Sequence, residues 1–269
     1  MNNFLSPSEI ASSTVEVGVA KVRLGIGKLL VLGFMAGAFI AVGGLVDIRV
    51  TAGIPATFGT LKLFIGAAVF PVGLILCVIA GAELLTGNMM VLPLALHSKR
   101  IAGVKLIYNW VWVTIGNFIG SLFVAYVFGY MAKLLTAAPW STATIALASD
   151  KVHLSYLATI ASGIGCNWLV GLAVWMAIGA KDIIGKIFAV WFPIMTFVAV
   201  GFQHVVANMF FIPAAIFVHG PISWGTAFTE LSAAFIGNAI GGWVFVAAVY
   251  WFVYLKSENA EKSVESVSV

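Results

Sequence analysis

Apolar residues gather in six long stretches, at about 27–46, 63–96, 106–132, 155–180, 187–218 and 231–255. The polar positions fall between them, in segments that carry Asp47, Arg49, Pro55, Lys99, Arg100, Lys181 and Asp182. Stretches of this length predict transmembrane helices. Ahead of them, Ser6-Pro7-Ser8-Glu9 sets a capping Ser, a Pro at the first helical position and an acid three residues after the cap. Ala11, Val15, Val19 and Val22 follow at helical spacing. Residues 1–26 therefore read as an amphipathic helix lying along the membrane surface, and no apolar run after a basic start marks a signal peptide there. The membrane domain is expected over 27–255, and a polar, frayed tail over 256–269.

Two of the stretches are too long for one crossing. Residues 63–96 occupy 34 positions and 187–218 occupy 32. A straight helix of that length reaches roughly 50 Å against about 30 Å of hydrocarbon, more than tilt absorbs. Each is expected to break into two half-helices, between about Glu83 and Gly87 and between about Gln203 and Ala207. Non-helical backbone at that depth is tolerated only inside protein or along a cavity. The two stretches also resemble each other. Gly81-Ala82-Glu83-Leu84-Leu85-Thr86-Gly87-Asn88-Met89, followed by Pro93, matches Gly201-Phe202-Gln203-His204-Val205-Val206-Ala207-Asn208-Met209, followed by Pro213, at an offset of 120. Ile115-Gly116-Asn117-Phe118-Ile119-Gly120 matches Ile236-Gly237-Asn238-Ala239-Ile240-Gly241 at an offset of 121. The chain thus reads as two three-helix halves, about 27–132 and 155–255. Three is odd, so the halves enter the membrane with opposite polarity. An inverted 3+3 repeat whose second and fifth helices are broken points to a transport site at the breaks.

Composition agrees with an all-α integral membrane protein: 62% of residues are apolar and 9% charged, against roughly 45–50% and about 25% in soluble domains. That excludes a nucleic-acid binder and a secreted disulfide scaffold. Cys77 and Cys166 lie in apolar runs and read as packing residues. Counting basic residues side by side gives ten on one face (Lys21, Arg23, Lys28, Lys99, Arg100, Lys105, Lys181, Lys186, Lys256, Lys262) and four on the other (Arg49, Lys62, Lys133, Lys151). The bias places both termini in the cytoplasm. Nothing marks an enzyme: there is no phosphate-binding Gly-rich loop, no Cys/His cluster at metal-ligand spacing, and no cofactor motif.

Glu83 and His204 read as the titratable groups set deep in the spans, both inside the repeated motif. His204 either exchanges a proton with a passing anion or bonds a broken-helix carbonyl as a neutral ring. Glu83 reads first as a structural acceptor of the N–H groups freed at the break; Gln203, its counterpart, cannot relay charge. Thr86 either donates to an anion or caps a helix. Lys151 is either a solvated loop charge or an electrostatic collector at the outer mouth. Asn88, Asn117, Asn167, Asn208 and Asn238 are the strong intramembrane hydrogen-bonding groups.

These motifs, with Ala36-Gly37-Ala38, Cys166-Asn167-Trp168-Leu169-Val170 and Gly237-Asn238-Ala239-Ile240-Gly241-Gly242, resemble signature segments of the formate–nitrite transporter family from about residue 7 to 255. The resemblance implies an aquaporin-like fold in the cell membrane, a homopentamer with one pore per protomer, and passage of small monovalent anions such as formate, nitrite, hydrosulfide, acetate or lactate. It places the family histidine on His204, the threonine on Thr86 and the outer lysine on Lys151, with Asn167 also counted among the pore residues. Pore-narrowing positions fall on Phe70, Leu74 and Phe197 on one side, and on Leu84 and Leu85 near the other. One position departs. The family has Glu directly before the histidine, where this chain has Gln203, leaving His204 without an adjacent fixed charge. Two other readings are open: a pore for neutral solutes such as ammonia, water or glycerol, and a membrane sensor that transports nothing.

Overall fold

The computed structural model describes residues 4–256, so of the polar tail predicted over 256–269 only Lys256 is described. The architecture is all-helical. It comprises α1 (Pro7–Lys21), α2 (Ile26–Thr51), α3 (Leu61–Gly81), α4 (Leu85–His97), α5 (Gly103–Met131), α6 (Trp140–Val152), α7 (Tyr156–Gly179), α8 (Ile183–Val200), α9 (Val205–Phe217) and α10 (Trp224–Tyr254). Six of these are long and apolar enough to span a bilayer: α2, α3, α5, α7, α8 and α10. The short helices α4 and α9 are buried almost residue for residue, from Leu85 to Ala95 and from Val205 to Ala215. Six crossings return the chain to the side on which it began, here the terminal side; the other is the far side.

Ser6 and Glu9 form the capping box on α1: the Ser6 N–H donates to Glu9 Oε2 at 2.7 Å and the Glu9 N–H to Ser6 Oγ at 3.4 Å. The buried face of α1 (Ile10, Ala11, Thr14, Val15, Gly18) rests on α4, α7 and the end of α10. The helix is thus seated on protein along that face, where amphipathicity alone suggested a lipid surface.

The spans pair closely, α2 with α5 and α7 with α10. Glycines permit the approach: a Cβ on Gly37 would land on the Asn117 carbonyl, and one on Gly237 would land on the Ile160 carbonyl. These glycines lie within the second pair of repeated segments or face them. The two cysteines are buried and unpaired.

Helicity is lost over Ala82–Leu84 and again over Gly201–His204. Both breaks start earlier than the sequence motif suggested, for a shared reason. Gly81 (φ 88°) and Gly201 (φ 83°) turn the chain into the left-handed region that a side chain resists. An asparagine from a neighbouring span then restarts the helix at once. The Leu85 N–H donates to Asn117 Oδ1 (3.0 Å), while Asn117 Nδ2 donates to the carbonyls of Glu83 (2.9 Å) and Gly33 (2.8 Å). The Val205 N–H donates to Asn238 Oδ1 (2.9 Å), and Asn238 Nδ2 to the carbonyls of Gln203 (2.9 Å) and Gly163 (2.9 Å). One amide thereby satisfies three backbone groups that lipid could not.

Candidate functional site

The breaks face each other at the centre of the bundle. His204 is the N-cap of α9, and its Nδ1 accepts the Ala207 N–H at 3.0 Å. Its Nε2 lies 2.9 Å from Thr86 Oγ1 in the first turn of α4. A ring nitrogen that accepts a backbone N–H carries no proton, so the imidazole proton sits on Nε2 and is donated to Thr86. The Thr86 hydroxyl is then free to donate in turn. His204 bonds no carbonyl, as one sequence reading held; it caps the half-helix through an N–H. Thr86 is not a cap either, since Leu84 occupies that position without a side-chain bond.

Three cavities line up past His204; Thr86, fully buried behind the ring, lines none of them. On the terminal side, a vestibule of about 490 Å3 is lined by Lys21, Leu74, Glu83, Leu84 and Asn88 among others. On the far side, one of about 380 Å3 is lined by Asp47, Phe70, Lys151, Phe197, Gln203 and His204 among others. Between them lies a chamber of about 10 Å3, walled by Ile40, Phe70, Leu74, Leu84, Val170, Ile194, Phe197 and His204. Phe70 and Phe197 meet edge to face at 5.9 Å and shut the far side. Phe197 also stacks on the His204 ring at 5.6 Å.

Several expected pore positions fall elsewhere. Leu74 lines the terminal vestibule and the chamber, so it closes the same side as Leu84 instead of joining Phe70 and Phe197. Leu85 lines none of the three cavities and is fully buried; as the first helical residue it turns away from Leu84 into the core. Asn167 is not on the pore: its Nδ2 donates to the carbonyls of Thr86 (3.1 Å) and Asn238 (2.7 Å), tying α4 to α10.

In the sequence the residues between the third and fourth spans look like a connection, with Lys151 on it as a solvated charge or a collector at the outer mouth. They form α6, and Lys151 near its end is half-buried. Its Nζ donates to Gln203 Oε1 at 3.3 Å and lies 5.3 Å from the centre of the Phe211 ring. Burial pushes the Lys151 ammonium below its usual range, and nearby Glu230, Cys166, Asp47 and Asp150 pull it back up.

Glu83 accepts from Lys21 Nζ (2.7 Å) and from Asn88 Nδ2 (2.8 Å), and Asn88 Nδ2 also reaches Asn109 Oδ1 (2.8 Å). Freed backbone N–H groups are not its partners, as the sequence reading had it. On the far side Asn208 Nδ2 donates to Gln203 Oε1 (2.8 Å) and to Glu230 Oε1 (2.6 Å). Lys21, Asn109 and Glu230 were missed as site residues. Glu230, only 6% exposed, corrects the count of titratable groups set deep in the spans. It escaped because α10 begins at Trp224, in a Thr- and Ser-containing stretch that looked like a loop. The offset of 121, applied to polar positions, pairs Asn109 with Glu230 and was the signal available.

A sequence profile described as formate/nitrite transporter matches residues 8–252. The chain belongs to the formate/nitrite transporter family. Within that family it is 54% identical to the uncharacterized transporter YrhG of Bacillus subtilis, over 98% of this chain and 99% of the relative. It is 48% identical to the formate channel BtFdhC of Bacillus thuringiensis, over 96% and 99%. A solved family structure described as a pentameric formate channel with formate bound superposes with a TM-score of 0.74 at 28% identity, covering 86% of this chain and 98% of its own.

Proposed function

We propose that the protein is a channel for small monovalent anions, formate foremost, working as a homopentamer in the cell membrane with one pore per protomer and both termini cytoplasmic. The observation that carries this reading is the approach of two vestibules that carry charged side chains, Lys21 and Glu83 in one and Lys151 and Asp47 in the other, toward His204 across a chamber walled by apolar side chains. The Bacillus thuringiensis relative named as a formate channel and the solved pentamer with formate bound support the choice of substrate and assembly. The ten-to-four distribution of basic residues supports the orientation.

In this reading Lys151 draws the anion into the far vestibule. The gap between Phe70 and Phe197 and between Leu74 and Leu84 has no room for a hydration shell, so the solute crosses most easily as the neutral acid. The same side chains turn away hydrated cations and larger solutes. His204, its Nε2 proton held by Thr86, is the one polar side chain that lines the chamber at the centre. A second proton on Nδ1 would break the bond to Ala207 at a helix N-terminus, where positive charge is disfavoured. This supports a neutral, donating His204, with the proton joining the anion in the vestibule.

The test is uptake into liposomes of purified protein, with formate, nitrite, hydrosulfide, acetate and lactate compared at two pH values. Formate is expected to enter fastest, and faster at the lower pH. Swelling in glycerol or water without anion uptake supports the neutral-solute pore, and neither signal supports a sensor.

A further inference from the structure

The two vestibules carry the same hydrogen-bonded chain with one exchange. On the terminal side it runs Lys21, Glu83, Asn88, Asn109: lysine, acid, asparagine, amide. On the far side it runs Lys151, Gln203, Asn208, Glu230: lysine, amide, asparagine, acid. Glu83 and Gln203 are repeat partners, as are Asn109 and Glu230, so acid and amide have changed places across the asparagine. Each chain keeps one lysine and one carboxylate. The Gln203 substitution has therefore not left the far-side chain without a carboxylate.

We propose that Glu230 is the charge-bearing partner of the far-side chain, acting through Asn208 from behind the vestibule wall to hold the Gln203 side-chain oxygen against Lys151. Glu230 is a positioning residue. Asn208 Nδ2 donates to Glu230 Oε1 at 2.6 Å with one hydrogen and to Gln203 Oε1 with the other. A bond to a carboxylate is charge-assisted and fixes which way the asparagine amide faces. That in turn presents an oxygen to the Lys151 ammonium. Glu230 Oε2 is buried and has no hydrogen-bond partner among the described residues. It lines a side cavity of about 260 Å3 with Tyr156, Thr159, Thr226 and Thr229. The charged and titratable groups that face Lys151 are Asp47 on α2, Asp150 beside it on α6, Cys166 on α7, His204 on α9 and Glu230 on α10; Lys62 acts on Asp47 in turn.

The inference rests on the anion-channel reading, so wild-type uptake is the control that separates them: wild-type liposomes that take up no anion overturn that reading. With wild type active, Glu230→Gln is expected to raise the apparent KM for formate at least about fivefold with little change in maximal rate. Adding Gln203→Glu to Glu230→Gln returns an acid to the chain and is expected to restore most of the loss, which no generic packing role explains. A second readout needs no transport. In Glu230→Gln the Lys151 amine should react with an acylating reagent at lower pH than in wild type, measured by peptide mass spectrometry, because the carboxylate no longer favours the ammonium. Unchanged KM and unchanged labelling in Glu230→Gln, or a double variant as impaired as the single one, overturns the proposal. Should Glu230→Gln fail to assemble, the double variant decides: assembly with uptake supports the exchange, and failure overturns it.

Discussion

Thr86 is fully buried and lines none of the three cavities, but it accepts the Nε2 proton that holds the His204 ring at the chamber wall, and that defines what its loss should do. Thr86→Val keeps the volume and removes the hydroxyl that holds the ring; formate uptake is expected to fall about two- to tenfold, the worth of one hydrogen bond between neutral groups. Thr86→Ser should recover most of it. His204→Asn keeps an acceptor for the Ala207 N–H, so it should fold and assemble, with slower formate uptake but an unaltered pH profile. Loss of pH dependence between about 5 and 7.5 in that variant would place the proton exchange on the ring itself. Lys151 touches Gln203 inside a half-buried pocket, so Lys151→Ala should slow uptake at high salt nearly as much as at low salt. An exposed charge would instead be screened over about 10 Å at 0.1 M.

The breaks are where the sequence spoke most clearly, since an apolar run of 34 residues cannot stay helical across a bilayer and the motif recurs at a fixed offset. The device that makes the breaks tolerable was legible only in part. Asn117 and Asn238 stood out as polar groups in apolar helices, but nothing in the sequence said that each would satisfy three backbone groups of a half-helix. Replacing Asn117 by Leu strands the Leu85 N–H and the Glu83 carbonyl in the core, at roughly 1–3 kcal/mol each. The thermal midpoint of the detergent-solubilised protein should drop by several degrees. The same substitution at Asn238 should cost a similar amount, because the bonds are the same. Helix α6 and the first turns of α10 were not legible, since Ser, Thr and Trp mix with apolar residues there. The burial of Lys151 and Glu230 went unseen with them.

Across the whole molecule, the two vestibules cut far into the protein from both sides and stop at a chamber of about 10 Å3. That is near the least volume that admits a single water, so no file of waters joins the vestibules. Liposomes holding the protein but no permeant acid should therefore leak protons no faster than empty ones when a potassium gradient and valinomycin set a voltage. The arrangement also fixes where that voltage acts. Conducting solution in the two vestibules carries the potential inward from each side, so nearly all of it falls across the thin plug formed by Phe70, Phe197, Leu74 and Leu84. A bare anion crossing the plug does almost the full electrical work, about 2.3 kcal/mol per 100 mV, within a few side-chain diameters. A neutral acid crossing the same plug does none, so the voltage dependence of flux reports directly which species passes.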